Sequence, residues 1–288
     1  MEPEHSPASI VCDQIDETRT AIVAARRDGK TVGIVPTMGA LHEGHMSLVD
    51  AAREQCDLVV ATIFVNPTQF GAGEDFDAYP RDLTSDVDAL RRRGVWLVFA
   101  PSVDAMYGAG HQTFVEVGDV ASPWEGAARP IHFRGVSTIV LKLFLIAPAD
   151  RAYFGQKDYQ QTLVVSRMVE DLNVPIEICV CPTVRESDGL ALSSRNVYLD
   201  VSQRRQALAL WQALKLGEQL RLDGETNAAE IRRRMLALID GAGGVEVEYL
   251  AILEEGTVRE LEVLDRPAVA VVAAHVGPTR LIDNHRIG

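Results

Sequence analysis

The chain has 288 residues, 47% of them hydrophobic, enough apolar side chain for one large domain or two, and it carries 41 acidic against 28 basic residues for a net charge of -13. That balance argues against a general nucleic-acid binder, which presents a basic face or stripe, and it requires any polyanionic substrate to meet a local cationic pocket. No apolar run approaches the roughly 18 residues of a membrane span, and the first residues are polar and proline-containing, unlike a secretory signal, so a soluble cytoplasmic protein with no membrane and no nucleic-acid partner is expected.

In chain order, residues 13–27 carry Ile15, Ile22 and Val23 at helical spacing and stop at Asp28-Gly29, which predicts a first helix; the residues at the start of the chain are expected to be disordered. Residues 30–35 supply Val32, Ile34 and Val35 and read as a buried strand, which Pro36 ends for want of an N–H. Residues 46–56 place Leu48, Val49, Ala52 and Cys56 on one helical face, so a helix follows. Its first amides, near Gly44 and His45, are expected to point back toward the strand's carboxyl end. Between strand and helix lies Pro36-Thr37-Met38-Gly39-Ala40-Leu41-His42-Glu43-Gly44-His45, a glycine-containing turn with two histidines that is suited to receive a phosphate.

Residues 58–65 form a continuous apolar run, as in a parallel-sheet strand covered on both faces. The run gives way to Asn66-Pro67-Thr68-Gln69-Phe70-Gly71, so Asn66 and Gln69 stand where open α/β sheets bind ligands, although both also suit a plain turn cap. A helix over 83–93 and a strand over 95–100 continue the alternation, which predicts an α/β fold with a doubly wound, parallel, Rossmann-like sheet. Gly71-Ala72-Gly73 is not a dinucleotide fingerprint, because Phe76 stands where the third glycine is required. Arg129, His132 and Arg134 place three potential cations ahead of a helix over 137–146, and each also suits a solvated loop.

A short strand over 152–154 runs into Gly155-Gln156-Lys157-Asp158-Tyr159-Gln160-Gln161 and a helix over 163–169, repeating the strand, glycine, helix-start arrangement. Lys157 there reads either as a point charge for phosphate or as a surface lysine, and Gln161 lies one helical turn beyond it on the same face. After a strand over 175–181, the polar loop from Thr183 to Asn196 offers Ser193, Ser194 and Arg195 as a mobile clamp for phosphate oxygens. From about Ser202 the pattern changes to helices over 206–220 and 228–239 and strands near 245–253 and 268–274, a smaller α+β unit. The expected division is a nucleotide-binding domain over 1–183 and a C-terminal lid domain over 184–288. Cys12, Cys56, Cys179 and Cys181 lack metal or redox spacing and read as structural thiols.

His42 and His45 are three residues apart, where a zinc-protease helix needs four, and no third ligand is apparent, so no protein metal site is expected. No Gly-x-Ser-x-Gly elbow is present, which leaves covalent catalysis without a nucleophile. What remains is phosphate stabilisation by imidazole donors and helix amides, completed by Lys157 and Arg195.

Four motifs in order now resemble one family: Pro36 to His45, Phe64-Val65-Asn66-Pro67-Thr68-Gln69-Phe70, Phe154-Gly155-Gln156-Lys157-Asp158-Tyr159-Gln160-Gln161, and Leu192-Ser193-Ser194-Arg195-Asn196. Over nearly its whole length the chain resembles the pantothenate synthetases, the pantoate:β-alanine ligases of the HIGH-type nucleotidylyltransferase superfamily. The resemblance implies that (R)-pantoate is joined to β-alanine with ATP, giving AMP and diphosphate through a pantoyl adenylate. It places ATP against Met38, Gly39, Ala40, Leu41, His42, Glu43, Gly44 and His45, then Gly155, Gln156, Lys157 and Asp158, and then Val184, Leu192, Ser193, Ser194 and Arg195. It makes His45 the proton donor and puts pantoate on Gln69 and Gln161, with Gln69 bordering β-alanine and Asn66 orienting the same ligands. Catalysis is expected of His42, His45, Lys157 and Arg195. Attack by a carboxylate on the α-phosphate needs no proton at the nucleophile, so both histidines are read as hydrogen-bond donors to the transition state. Mg²⁺ is expected on the ATP phosphates, and a homodimer is implied. Two departures are Gln156, where the family often has glutamate, and Ile131, which interrupts an Arg-Pro-Gly-His-Phe form. The alternatives are another HIGH-type nucleotidylyltransferase or a non-catalytic nucleotide sensor.

Overall fold

In the computed structural model, which describes residues 9–288, the alternation of strands and helices takes the following order. The expectation for the first residues lies outside that range. Strand β1 (Ile10–Cys12) leads to helix α1 (Ile15–Arg27), β2 (Val32–Thr37), α2 (Glu43–Gln55), β3 (Leu58–Ile63), α3 (Leu83–Arg92) and β4 (Leu97–Phe99). Two short helices, α4 (Val103–Met106) and α5 (Glu125–Ala128), precede α6 (His132–Ile146), β5 (Arg151–Gly155), α7 (Tyr159–Asp171) and β6 (Glu177–Cys181). The chain closes with α8 (Val201–Leu222), α9 (Ala228–Ala242), β7 (Val245–Glu254), β8 (Ala268–Val276) and β9 (Thr279–Arg286).

Six strands form one sheet in the order β1-β4-β3-β2-β5-β6, with every pairing parallel. Their apolar residues are continuous because both faces are covered. On one face Ile34, Val60, Phe99 and Phe154 pack with Ile22 of α1, Ile139 and Leu143 of α6 and Met168 of α7. On the other, Val35, Ala61, Val98 and Tyr153 pack with Val49 and Ala52 of α2 and Leu90 of α3. The sheet is therefore doubly wound. From β2 the chain winds outward through β3 and β4, then returns to the other side of β2 as β5 and continues to β6. The winding direction switches between β2 and β5, and ligands of open α/β sheets bind at the carboxyl ends of strands at such a point.

The sequence pattern does not disclose β1, whose three residues pair with Leu97–Phe99 of β4. Nor does Pro36 end its strand: β2 runs to Thr37, with Pro36 opposite Thr62 and Thr37 opposite Ile63. The Thr37 carbonyl accepts from Phe64 N at 3.1 Å and so faces β3, which turns Pro36 toward β5, where the pairing covers Gly33 and Ile34. The missing N–H breaks no ladder there.

Two compact units emerge. The first takes the chain up to Gly118, Arg129–Gly155 and Val164–Cys181; the second takes Asp119–Ala128, Gln156–Leu163 and Pro182–Gly288. This differs from a single cut after residue 183, and the antiparallel sheet β7-β8-β9 of the second unit supplies the reason. One of its faces packs Leu250, Ile252, Ala270 and Val272 against Leu210 and Leu214 of α8 and Ile231 and Met235 of α9. The alternate residues, Tyr249, Ala251, Leu253, Val269 and Val271, need a cover of their own, and Trp124, Tyr159 and Leu163 provide it. Gln160 pins the first of these segments by accepting from Glu125 N at 3.0 Å and donating to the carbonyls of Val120 and Pro123.

Candidate active site

The turn after β2 depends on a side chain from α3. Both Gly39 and Ala40 hold a left-handed backbone, with φ of +85° and +50°, a conformation ordinary for glycine and costly for alanine. What holds Ala40 there is Asp86 on α3, whose carboxylate accepts from Ala40 N at 2.9 Å and Leu41 N at 2.8 Å. A Cβ on Gly39 would stand 2.9 Å from the same carboxylate, so glycine is required by close approach as well as by φ. Burial pushes the Asp86 carboxyl up, against the downward pull of the Leu41 and Ala40 amides. Gly39 N donates to Thr37 Oγ1 at 3.2 Å, and that hydroxyl donates to Thr62 O.

Helix α2 begins at Glu43, three residues earlier than the apolar spacing predicts, because the two histidines cap it. His42 is the N-cap: its Nδ1 accepts from Gly44 N at 3.1 Å, and His45 Nδ1 accepts from His42 N at 3.3 Å. Their three-residue spacing is that of a capping box. A neutral imidazole that accepts at Nδ1 carries its proton on Nε2, so each ring is set as an Nε2–H donor. The rings lie 4.1 Å apart, centroid to centroid. The expected anion donors near Gly44 and His45 are thereby corrected. Gly44 N is taken by His42, and His45 N donates to His42 O at 2.8 Å. The Glu43 carboxylate is engaged by Arg93 at 2.5 Å.

Beyond β3, Asn66 caps a 3₁₀ turn over Pro67–Gln69 and uses its whole amide inside the protein. Its Nδ2 donates to Gln69 Oε1 and to Gly135 O, both at 3.1 Å, while Oδ1 accepts from Tyr107 Oη at 2.8 Å and Thr68 Oγ1 at 3.0 Å. Gln69 is thus held at its oxygen, and its Nε2 lies 2.9 Å from Met38 Sδ, which brings the motif after β2 and the motif after β3 together. Of the three potential cations Arg129, His132 and Arg134, the first two converge on one carbonyl and the third turns elsewhere. Arg129 pairs with Glu74 and donates to Gln69 O at 3.2 Å, buried His132 meets the same carbonyl at 3.0 Å through Nδ1, and Arg134 stacks 4.0 Å over Phe114. Helix α6 starts at His132, so that residue is no solvated loop side chain.

In the second unit, Gln156–Asp158 form a 3₁₀ turn into α7. Among the described residues Lys157 has no ion pair and Gln161 no side-chain hydrogen bond. Gly155, which ends β5, would place a Cβ more than 4 Å from any neighbour, and its φ is not left-handed. Neither packing nor backbone geometry asks for glycine there. The loop that carries the expected clamp begins as a hairpin: Glu186 N donates to Leu190 O at 2.8 Å and Leu192 N to Val184 O at 3.0 Å. Glu186 accepts from Asn196 at 3.0 Å and pairs with Arg204 at 2.6 Å. Ser193 Oγ accepts from Arg195 N at 3.3 Å, starting the 3₁₀ turn Ser194–Tyr198.

Sequence reasoning passed over Asp86, although a charged residue on the apolar stripe Leu83, Val87, Leu90 was a usable signal. Asp86→Asn replaces one acceptor oxygen with an amide that faces a backbone N–H. We expect it to lower stability by about 1–3 kcal/mol in equilibrium urea unfolding. Wild-type stability in that variant would remove Asp86 from its role in the turn.

A doubly wound parallel sheet with its winding switch beside a histidine-capped helix start defines an α/β protein with a candidate ligand site at the carboxyl end of β2. Residues 10–286 match the family model described as Pantoate-beta-alanine ligase. A pantothenate synthetase of Moorella thermoacetica is 54% identical over 270 residues, 94% of this chain and 95% of that one. The crystal structure of pantothenate synthetase from Thermus thermophilus superposes with a TM-score of 0.92 at 45% identity, covering 96% of this chain and 99% of that chain. A pantoate-beta-alanine ligase from Francisella tularensis, solved as a complex with beta-gamma ATP and beta-alanine, gives a TM-score of 0.80 at 34% identity over 96% of this chain and 97% of that chain. The chain belongs to the pantoate-beta-alanine ligase family.

Proposed function

We propose that this chain condenses (R)-pantoate with β-alanine in two steps, using ATP and releasing AMP and diphosphate. In the first step a pantoate carboxylate oxygen attacks the α-phosphorus; the bond to the β-phosphate bridging oxygen breaks, and its electron pair leaves with diphosphate. In the second the β-alanine amine attacks the acyl carbon of the pantoyl adenylate, AMP departs with the electrons of the C–O bond, and the amine gives up a proton. The observation that carries this reading is the pair of imidazoles set as Nε2–H donors at the carboxyl end of β2, beside the winding switch. Donors fixed before the reaction stabilise charge developing on phosphate oxygens without reorganising, and no proton need be transferred.

ATP is assigned to Met38–His45, Gly155–Asp158, Val184 and Leu192–Arg195, with Lys157 and Arg195 as the phosphate cations. Glu43 contributes through its backbone, since its carboxylate is occupied by Arg93. Mg²⁺ is assigned to the triphosphate oxygens, where it offsets their charge. Gln69 and Gln161 are assigned to pantoate, with Asn66 acting by orienting Gln69. A homodimer in the cytoplasm is part of the same proposal; no helix among the described residues is long and apolar enough to cross a membrane.

Gln69→Ala and Gln161→Ala are each expected to weaken pantoate binding by about 1–3 kcal/mol, the cost of leaving a buried polar group unpaired. Calorimetric titration with pantoate checks this, and an unchanged constant in both variants rules out the assignment. The reaction itself is tested by incubation with ATP, pantoate and β-alanine. Equal amounts of AMP and pantothenate are expected, and stoichiometric ADP would point to an acyl phosphate instead.

A further inference from the structure

Asn284 on β9 lies outside every motif that the sequence discloses, yet its side chain meets the Lys157 turn directly. Its Nδ2 gives both protons to consecutive carbonyls, those of Gln156 and Lys157, at 2.9 Å each. No peptide bond among the described residues is cis, so in the same two peptide planes the N–H groups of Lys157 and Asp158 point the opposite way, away from Asn284. Successive N–H groups turned to one side suit an anion.

Asn284 is itself held at both backbone atoms. Its N–H donates to Asp283 Oδ1 at 2.8 Å and its carbonyl accepts from Arg185 at 3.2 Å. Arg185 is in turn clamped on Asp283 by bonds of 2.6 and 2.9 Å and stacks 3.6 Å over Trp211. Strand alternation then sends the Asn284 side chain to the face opposite Asp283, the face that Tyr159 covers beside Val271, the β-ladder partner of Asn284. Only 3% of Asn284 is exposed, and its Oδ1 has no hydrogen-bond partner among the described residues.

We propose that Asn284 is a positioning residue for adenylate formation, fixing the Gln156-Lys157 peptides so that Lys157 is presented to the triphosphate; this rests on the ATP assignment above. The Asn284 amide nitrogen carries two donors, one for each of the two consecutive carbonyls. The Asp283 carboxylate and Arg185 supply the frame that keeps that group in place.

The test is pantoate-dependent exchange of labelled diphosphate into ATP by wild type, Asn284→Ala, Lys157→Ala and the double variant. Asn284→Ala is expected to slow exchange roughly 10- to 100-fold, the scale for misplacing a reacting group, while the KM for pantoate moves by less than about 3-fold. In the Lys157→Ala background, Asn284→Ala should add less than about 3-fold, because the two act as a unit. Wild-type exchange in Asn284→Ala, or losses that multiply in the double variant, would overturn the proposal. Wild-type exchange in Lys157→Ala would instead remove the ATP assignment, and the proposal with it. Asn284→Asp is run in parallel, since it keeps the volume while replacing the donor group. If neither Asn284 variant unfolds cooperatively in urea, the residue belongs to the fold and the proposal fails.

Discussion

His45→Ala and Lys157→Ala are each expected to slow single-turnover formation of the pantoyl adenylate by roughly 10²-fold or more, the scale for removing one preorganised donor to developing charge. ATP affinity should change much less, because the charge these groups stabilise grows in the transition state. The two variants differ in one respect. His45 Nδ1 also accepts from His42 N, so His45→Ala removes half of the capping box of α2 and should lose about 0.5–2 kcal/mol of stability. Lys157 has no ion pair among the described residues, and Lys157→Ala should leave urea unfolding unchanged. Rapid-quench measurement of the adenylate separates chemistry from binding. Wild-type rates in both variants would refute the phosphate roles.

Gly135→Ala is expected to damage the other half of the first-unit site by a purely steric route. A Cβ on Gly135 would stand 2.4 Å from Thr68 O and 2.6 Å from Gln69 Cα, and backbone cannot swing aside as a flexible side chain does. The added methyl must push α6 away from the turn that carries Gln69, straining the Asn66 bond to Gly135 O. Overpacking of this kind costs about 1–3 kcal/mol. Displacing Gln69 by about 1 Å should lower kcat/KM for pantoate by roughly 10²-fold. Steady-state kinetics with varied pantoate, beside a urea titration, measures both. A variant with wild-type kcat/KM and stability would contradict the close packing of α6 on this turn.

Much of the first unit was legible because its signals are local. The apolar runs around Val60 and Val98 and the helical stripe of α2 follow from the covering of both sheet faces, and they gave the doubly wound class directly. The two histidines were recognisable as a pair, but their capping role required knowing where the helix starts, and apolar spacing places that start too late because Glu43, Gly44 and His45 carry no stripe of their own. Interactions distant in sequence stayed hidden. Asp86 reaches Ala40 across 46 residues and Asn284 reaches Gln156 across 128, and no period or turn rule links such positions. The division into units was hidden for a similar reason. Trp124 and Tyr159 cover a sheet whose strands begin at Val245, a demand visible only once β7, β8 and β9 are assembled.

The central claim is that ATP and pantoate react before the amine is needed, and the most direct measurement is exchange of labelled diphosphate into ATP with β-alanine left out. A reversible first step on the imidazole and lysine donors predicts exchange that requires pantoate and proceeds at a rate comparable to net synthesis. Net synthesis of pantothenate without any such exchange would contradict the account.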